Sequence, residues 1–183
     1  PDHALVQDAI DLLIDSKRGT TAFGFLRSPK PNLLLETIFV LETVADSRWH
    51  VDRFLAPTPV RVVIDLRGRD LTADYQAATL AEDFVDAPLP HFLERPGFNA
   101  KLLTTMLASA ESRAEEHSTA LKMAAQSSAT AALSADLQRL VDLQKINAHF
   151  RPEEIALAQA QLEHTRNAIA HARLRLDSLR LIL

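Results

Sequence analysis

A chain of 183 residues with 47% apolar and 24% charged residues and a net charge of −4 has the composition of a folded protein large enough for one substantial core. It contains no cysteine, which excludes a disulfide framework, a thiolate metal site and a cysteine nucleophile. Residues 1–90 carry 9 basic and 14 acidic groups and residues 91–183 carry 11 and 10, so neither half holds the basic excess that binding a polyphosphate backbone requires.

No apolar run approaches the roughly 18 residues of a spanning helix, and the first residues lack the order of a secretory signal. No membrane contact and a cytoplasmic location are therefore expected. The sequence opens Pro1-Asp2-His3 without methionine and reads as a piece of a longer polypeptide.

In chain order, Ala4–Ser16 places Leu5, Ala9, Ile10 and Leu13 on one helical face, with Gly19 suited to the C-cap. Thr20–Arg27 then brings Phe23 and Phe25 two apart, and Ser28-Pro29-Lys30-Pro31-Asn32 is turn chemistry. Leu33–Val44 is apolar and β-branched on both faces and predicts a central strand; Trp49–Leu55 is a further candidate. In the next strand Val60, Val62, Ile64 and Leu66 alternate with Arg61, Val63, Asp65 and Arg67, closed by Gly68-Arg69-Asp70. Short connections between successive strands favour an antiparallel meander. Leu71–Pro96 is broken by Pro88, Pro90 and Pro96 and supports a short helix at best.

From Asn99 to Asn147 neither proline nor glycine occurs. The apolar stripe Leu103, Leu107, Ala110, Ala114, Leu121, Ala124 changes phase before Leu133, Leu137 and Leu140, which predicts a bend, a break or a new packing partner near residues 126–128. Pro152 with Glu153 and Glu154 starts a last helix. Its seam runs Ile155, Ala158, Leu162, Thr165, Ile169, Ala172, Leu176, Leu179, Leu183, in steps of three and four, and the short connection before it places it antiparallel to Leu133–Leu143. Residues 179–183 also alternate and fit a terminal strand. The fold class is α+β: an N-terminal helix and an antiparallel meander of about four strands (1–70), a connection (71–98), and a long helical hairpin (99–183).

Sites of chemistry are sparse. His164 and His171 lie seven apart, where metal ligation on a helix favours four, and the glutamates at 111, 115 and 116 suit a solvated surface. Four glycines form neither a phosphate loop nor a dinucleotide fingerprint. On a helix, Asp177 would pair with Arg173 and Arg180. No catalytic, cofactor-binding or metal residue is assigned. Two stretches exceed what local structure explains: Arg53–Arg61, with an aromatic anchor and stiff prolines, and Arg175–Ile182, where arginines alternate with apolar residues.

The same stretches resemble a known family. DRFLAPTPVRVVID (Asp52–Asp65) is similar to an NRFLPPTPVR-type motif, and RLDSLRLI (Arg175–Ile182) to an RLDALRLI-type ending. Both motifs belong to the C-terminal domain of the RapA family, bacterial RNA polymerase-associated ATPases of the SWI/SNF group. LLLETIFVLETVA (Leu33–Ala45) and INAHFRPEEI (Ile146–Ile155) resemble the same domain in the same order. Asp52 stands where the motif has Asn, Ala56 where it has Pro, and Ser178 where it has Ala.

The resemblance implies an ATP-dependent motor that binds RNA polymerase and promotes its recycling. Its ATPase motifs, with ATP and magnesium, would lie outside this chain, leaving a non-catalytic accessory domain that packs on the ATPase lobes or contacts polymerase. The expected contact residues are Arg53, Phe54, Arg61, Arg175 and Arg180, in a monomer that does not itself bind nucleic acid. The competing class is a self-contained helical module that dimerises through its Ala-rich face. An enzyme is the third.

Overall fold

The computed structural model describes residues 21–27, 33–87, 100–147 and 151–183. The expected helix at Ala4–Ser16 lies outside them. Chain contacts divide the described residues into two compact units, one within Pro1–Phe39, Pro59–Glu116 and Leu176–Leu183, the other within Val40–Thr58 and His117–Arg175.

The α+β class holds, with a five-stranded sheet and two long helices. The strands are β1 (Thr21–Leu26), β2 (Leu34–Glu42), β3 (Thr58–Asp65), β4 (Phe84–Asp86) and β5 (Arg173–Ile182). The helices are α1 (Ala77–Asp83), α2 (Ala100–Ile146) and α3 (Pro152–Ala170).

The sheet is not a meander. Its order is β3-β2-β5-β1-β4, so only β2 and β3 are neighbours both in sequence and in space. The last strand lies in the middle, parallel to β1 with Thr21 opposite Leu179 and Gly24 opposite Ile182. A parallel pair needs a long crossover, and here nearly the whole chain supplies it. Short connections suggested a meander because they report only local neighbours; β5 arrives from the far end of the sequence.

β5 also corrects the last helix. Helix α3 starts at Pro152 as expected, with Glu153 and Glu154 in its first turn, but ends at Ala170, not at Leu183. From Arg173 the residues Arg-Leu-Arg-Leu alternate strictly. After Asp177-Ser178 the odd positions, exposed at 173, 175 and 177, are buried at Leu179 and Leu181. Such a change of phase inside a strand mimics steps of three and four, which is why a period-2 element passes for a helical seam.

Two further expectations change. Trp49–Leu55 is not a strand but a pair of 3-10 turns, Ser47–Trp49 and Val51–Arg53. Asp46 caps the first by accepting from the Arg48 N–H, and His50 adopts the left-handed conformation between them (φ 48°). Helix α2 is unbroken at residues 126–128. Its buried line continues Ala110, Ala114, Ser118, Ala125, Ala129, Leu133, whereas Leu121 and Ala124 are exposed. Small residues occupy most of the buried line, so counting large apolar residues passes over Ser118, Ala125 and Ala129.

In the unit that holds β1, β3 and β4, one sheet face buries Leu34, Val63 and Ile182 with Leu80 of α1, joined by Leu26, Leu71, Tyr75 and Phe84. By alternation the other face carries the buried Phe23, Leu35, Val62, Ile64, Leu179 and Leu181. The short edge strand β4 packs tightly on β1 because Gly24 permits it: a Cβ there would come within 2.4 Å of the Phe84 ring and of the Val85 carbonyl. In the other unit α3 contacts both 3-10 turns, and Trp49 stacks on His164 with ring centroids 4.6 Å apart.

Candidate functional site

Strand β2 carries two glutamates six residues apart in an otherwise apolar run, Glu36 and Glu42, and each gathers two arginines. Even spacing directs both carboxylates to one face of the strand. A carboxylate taken out of water demands cationic partners, and the resulting ion pairs position four of the chain's arginines.

Glu36 is buried. Its Oε1 accepts from Arg61 Nε of β3 at 2.6 Å, and its Oε2 lies 3.4 Å from Arg180 Nη1 of β5. The Arg180 guanidinium also lies over the Phe84 ring, 4.6 Å from its centroid. Phe84 in turn covers Gly24. Residues of β4, β1, β5, β2 and β3 thus follow one another across a single face: Phe84, Gly24, Arg180, Glu36, Arg61. Two guanidinium groups on one carboxylate leave a local charge of +1, and Arg61 Nη2 is buried without an acceptor among the described residues. The Arg180 side chain is 33% exposed, so the row reaches solvent there.

In the other unit Glu42 accepts from Arg173 at 3.1 Å, and Arg175 lies 3.4 Å away. Both arginine side chains are more than half exposed. The helical spacing expected to join Asp177 to Arg173 and Arg180 is not present, because β5 is a strand, and those arginines reach across to Glu42 and Glu36 of β2. Arg53 closes the second 3-10 turn, exposed, with its guanidinium 5.3 Å from the Phe54 ring centroid.

The five expected contact residues therefore fall into three groups. Arg61 and Arg180 meet on Glu36, Arg175 joins Arg173 on Glu42, and Arg53 stacks with Phe54. Reading the sequence for arginines alone missed Glu36, Glu42 and Phe84, and did not place Arg173 on Glu42. A signal was present, since the dipeptide Glu-Thr recurs at Glu36 and Glu42 in a strand that should be wholly apolar.

A second buried carboxylate, Asp65, ends β3. Its Oδ1 accepts from the Arg67 and Arg69 N–H groups at 2.9 Å each, and its Oδ2 from Arg69 Nε at 2.7 Å. Burial alone would raise its pKa, but the Arg69 side chain, these backbone donors and the Arg69 charge together hold it below the ordinary 3.8. Among the described residues no group of three His, Asp or Glu side chains is placed to hold a metal ion, and no helix is long and apolar enough to cross a membrane.

Over residues 1–183 the chain matches the family described as RNA polymerase recycling family C-terminal. It is 30% identical over 192 residues to the RNA polymerase-associated protein RapA of Vibrio cholerae serotype O1 (strain M66-2), and 31% identical to the RapA of Vibrio vulnificus (strain YJ016). It is 32% identical over 189 residues to that of Actinobacillus pleuropneumoniae serotype 3 (strain JL03). Each comparison covers 100% of this chain and 19% of the relative, so the chain spans about a fifth of the length of the curated relatives it matches. The chain belongs to the RNA polymerase recycling family, of which it spans the C-terminal domain.

Proposed function

We propose that this domain is the non-catalytic accessory part of an RNA polymerase-associated, ATP-dependent protein, and that it works by contact with RNA polymerase or with the ATPase lobes of its own polypeptide. The observation that carries the reading is the match of the whole chain, without remainder, to the C-terminal fifth of proteins named for their association with RNA polymerase. In this reading ATP and magnesium are bound by the remaining four-fifths, which also promotes polymerase recycling. The domain contributes surface and no nucleic-acid contact of its own.

The ion pairs refine which arginines test the idea. Arg61 supports a buried carboxylate, so reversing its charge would disturb folding and binding together. Arg53 is exposed and stacked on an aromatic ring, which suits an arginine–aromatic anchor at an interface. In the full-length protein, Arg53→Glu should weaken either the affinity for RNA polymerase or the rate of ATP hydrolysis by about tenfold, the scale of a lost hot-spot arginine, at unchanged thermal stability. Wild-type values of both quantities would contradict the assignment of Arg53.

A further inference from the structure

In the order β3-β2-β5-β1-β4 the outer strands are β3 and β4. An outer strand presents a row of backbone donors and acceptors that can pair with any strand brought to it. β4 limits this by its length of three residues, ending in the exposed Asp86. β3 is eight residues long and mostly apolar, so its outer side requires more.

Backbone groups along a strand point alternately to its two sides. Val63 and Asp65 point away from β2, because they meet the chain as it returns along the outer side. Leu71 N–H donates to the Val63 carbonyl at 2.7 Å and Asp65 N–H donates to the Arg69 carbonyl at 3.2 Å, around an antiparallel bridge between Ile64 and Asp70. By the same alternation Pro59 and Arg61 also face outward. Each of the four is closed in its own way. Pro59 has no N–H to offer. Arg61 places a charged side chain on the edge, committed to Glu36. Val63 gives its N–H to the Thr72 hydroxyl at 2.9 Å, and Asp65 is paired with Arg69.

The segment 69–72 is fixed on the edge at both ends. At its start the Asp65 carboxylate accepts from the Arg67 and Arg69 amides and the Arg69 guanidinium, and Gly68, with a φ of 70°, turns the chain back. Leu66 leaves the alternation there and is 49% exposed. At its end Thr72 N–H donates to Asp70 Oδ1 at 2.9 Å, which positions the hydroxyl, and the Asp74 and Tyr75 N–H groups turn the chain away by donating to the Leu71 carbonyl. A longer return would form a sixth strand and merely move the open edge outward. A hydroxyl acceptor satisfies Val63 and adds no new edge.

We propose that residues 69–72, together with Pro59, form an edge guard that keeps a second copy of this chain from adding to β3. A second copy is the partner concerned because it brings the same edge, and antiparallel addition about a twofold axis would pair residues 59–63 with themselves. The inference is independent of the accessory reading above.

The test uses the full-length protein. Pro59→Val with Thr72→Val restores an N–H at 59 and frees the one at 63, giving outward donors at 59, 61 and 63 in succession. This variant should self-associate, its sedimenting mass rising about twofold above that of the wild type as concentration is raised. In the wild type the Val63 amide should be protected from hydrogen exchange, and Thr72→Val alone should speed its exchange at least about fivefold. A folded double variant that sediments as the wild type does would overturn the guard. If the double variant does not fold, exchange decides: an unprotected Val63 amide in the wild type, or a rate that Thr72→Val leaves unaltered, removes the proposal.

Discussion

Asp65, at the end of β3, shows how one residue sets both a local shape and a dependence on pH. Its carboxylate pKa is depressed in the folded chain, so the stabilisation it supplies is fully present above the unfolded value of 3.8 and is lost as pH falls through the folded value. Acid unfolding followed by circular dichroism should therefore steepen below about pH 4 in the wild type. Asp65→Asn should start less stable at neutral pH and show a flatter profile in that window. An unchanged acid limb in the variant would mean that the Arg67, Arg69 and Asp65 contacts do not form in solution. The sequence Asp-Leu-Arg-Gly announced a turn, and the turn is there. What it could not announce is that Leu66 faces outward, because alternation continues on paper past the residue at which the hydrogen-bonded loop begins.

Among the elements, β5 separates what was legible from what was not. Strand β2 and helix α3's start at Pro152 were visible because each rests on local signals: β-branched residues on both faces and a proline at the first helical position. The position of β5 between β2 and β1 rests on pairing with residues some 150 positions earlier, and no local period encodes that partner. The candidate site was legible in the same partial way. Arg61 and Arg180 stood out as motif residues, but that both converge on Glu36 follows only from the sheet order. Because β5 is interior, with Leu179, Leu181 and Ile182 all buried, a chain ended at Asp177 should lose cooperative thermal unfolding altogether. Were residues 178–183 merely a frayed helix end, the truncated chain would melt with a transition close to that of the full chain.

For the molecule as a whole, the family match covers residues 1–183 and about a fifth of the length of its curated relatives. Four of the chain's arginines, Arg61, Arg173, Arg175 and Arg180, are paired with the β2 glutamates Glu36 and Glu42, so the basic residues of its family-like ending are partly neutralised within the chain. The central claim, that the domain contributes contact within a larger polymerase-associated machine, is tested most directly by hydrogen exchange on the full-length protein. Exchange is compared alone, with RNA polymerase, and with nucleotide. The account expects slowed exchange in peptides of these 183 residues on addition of polymerase or nucleotide. Identical exchange across the domain in all three conditions would contradict it.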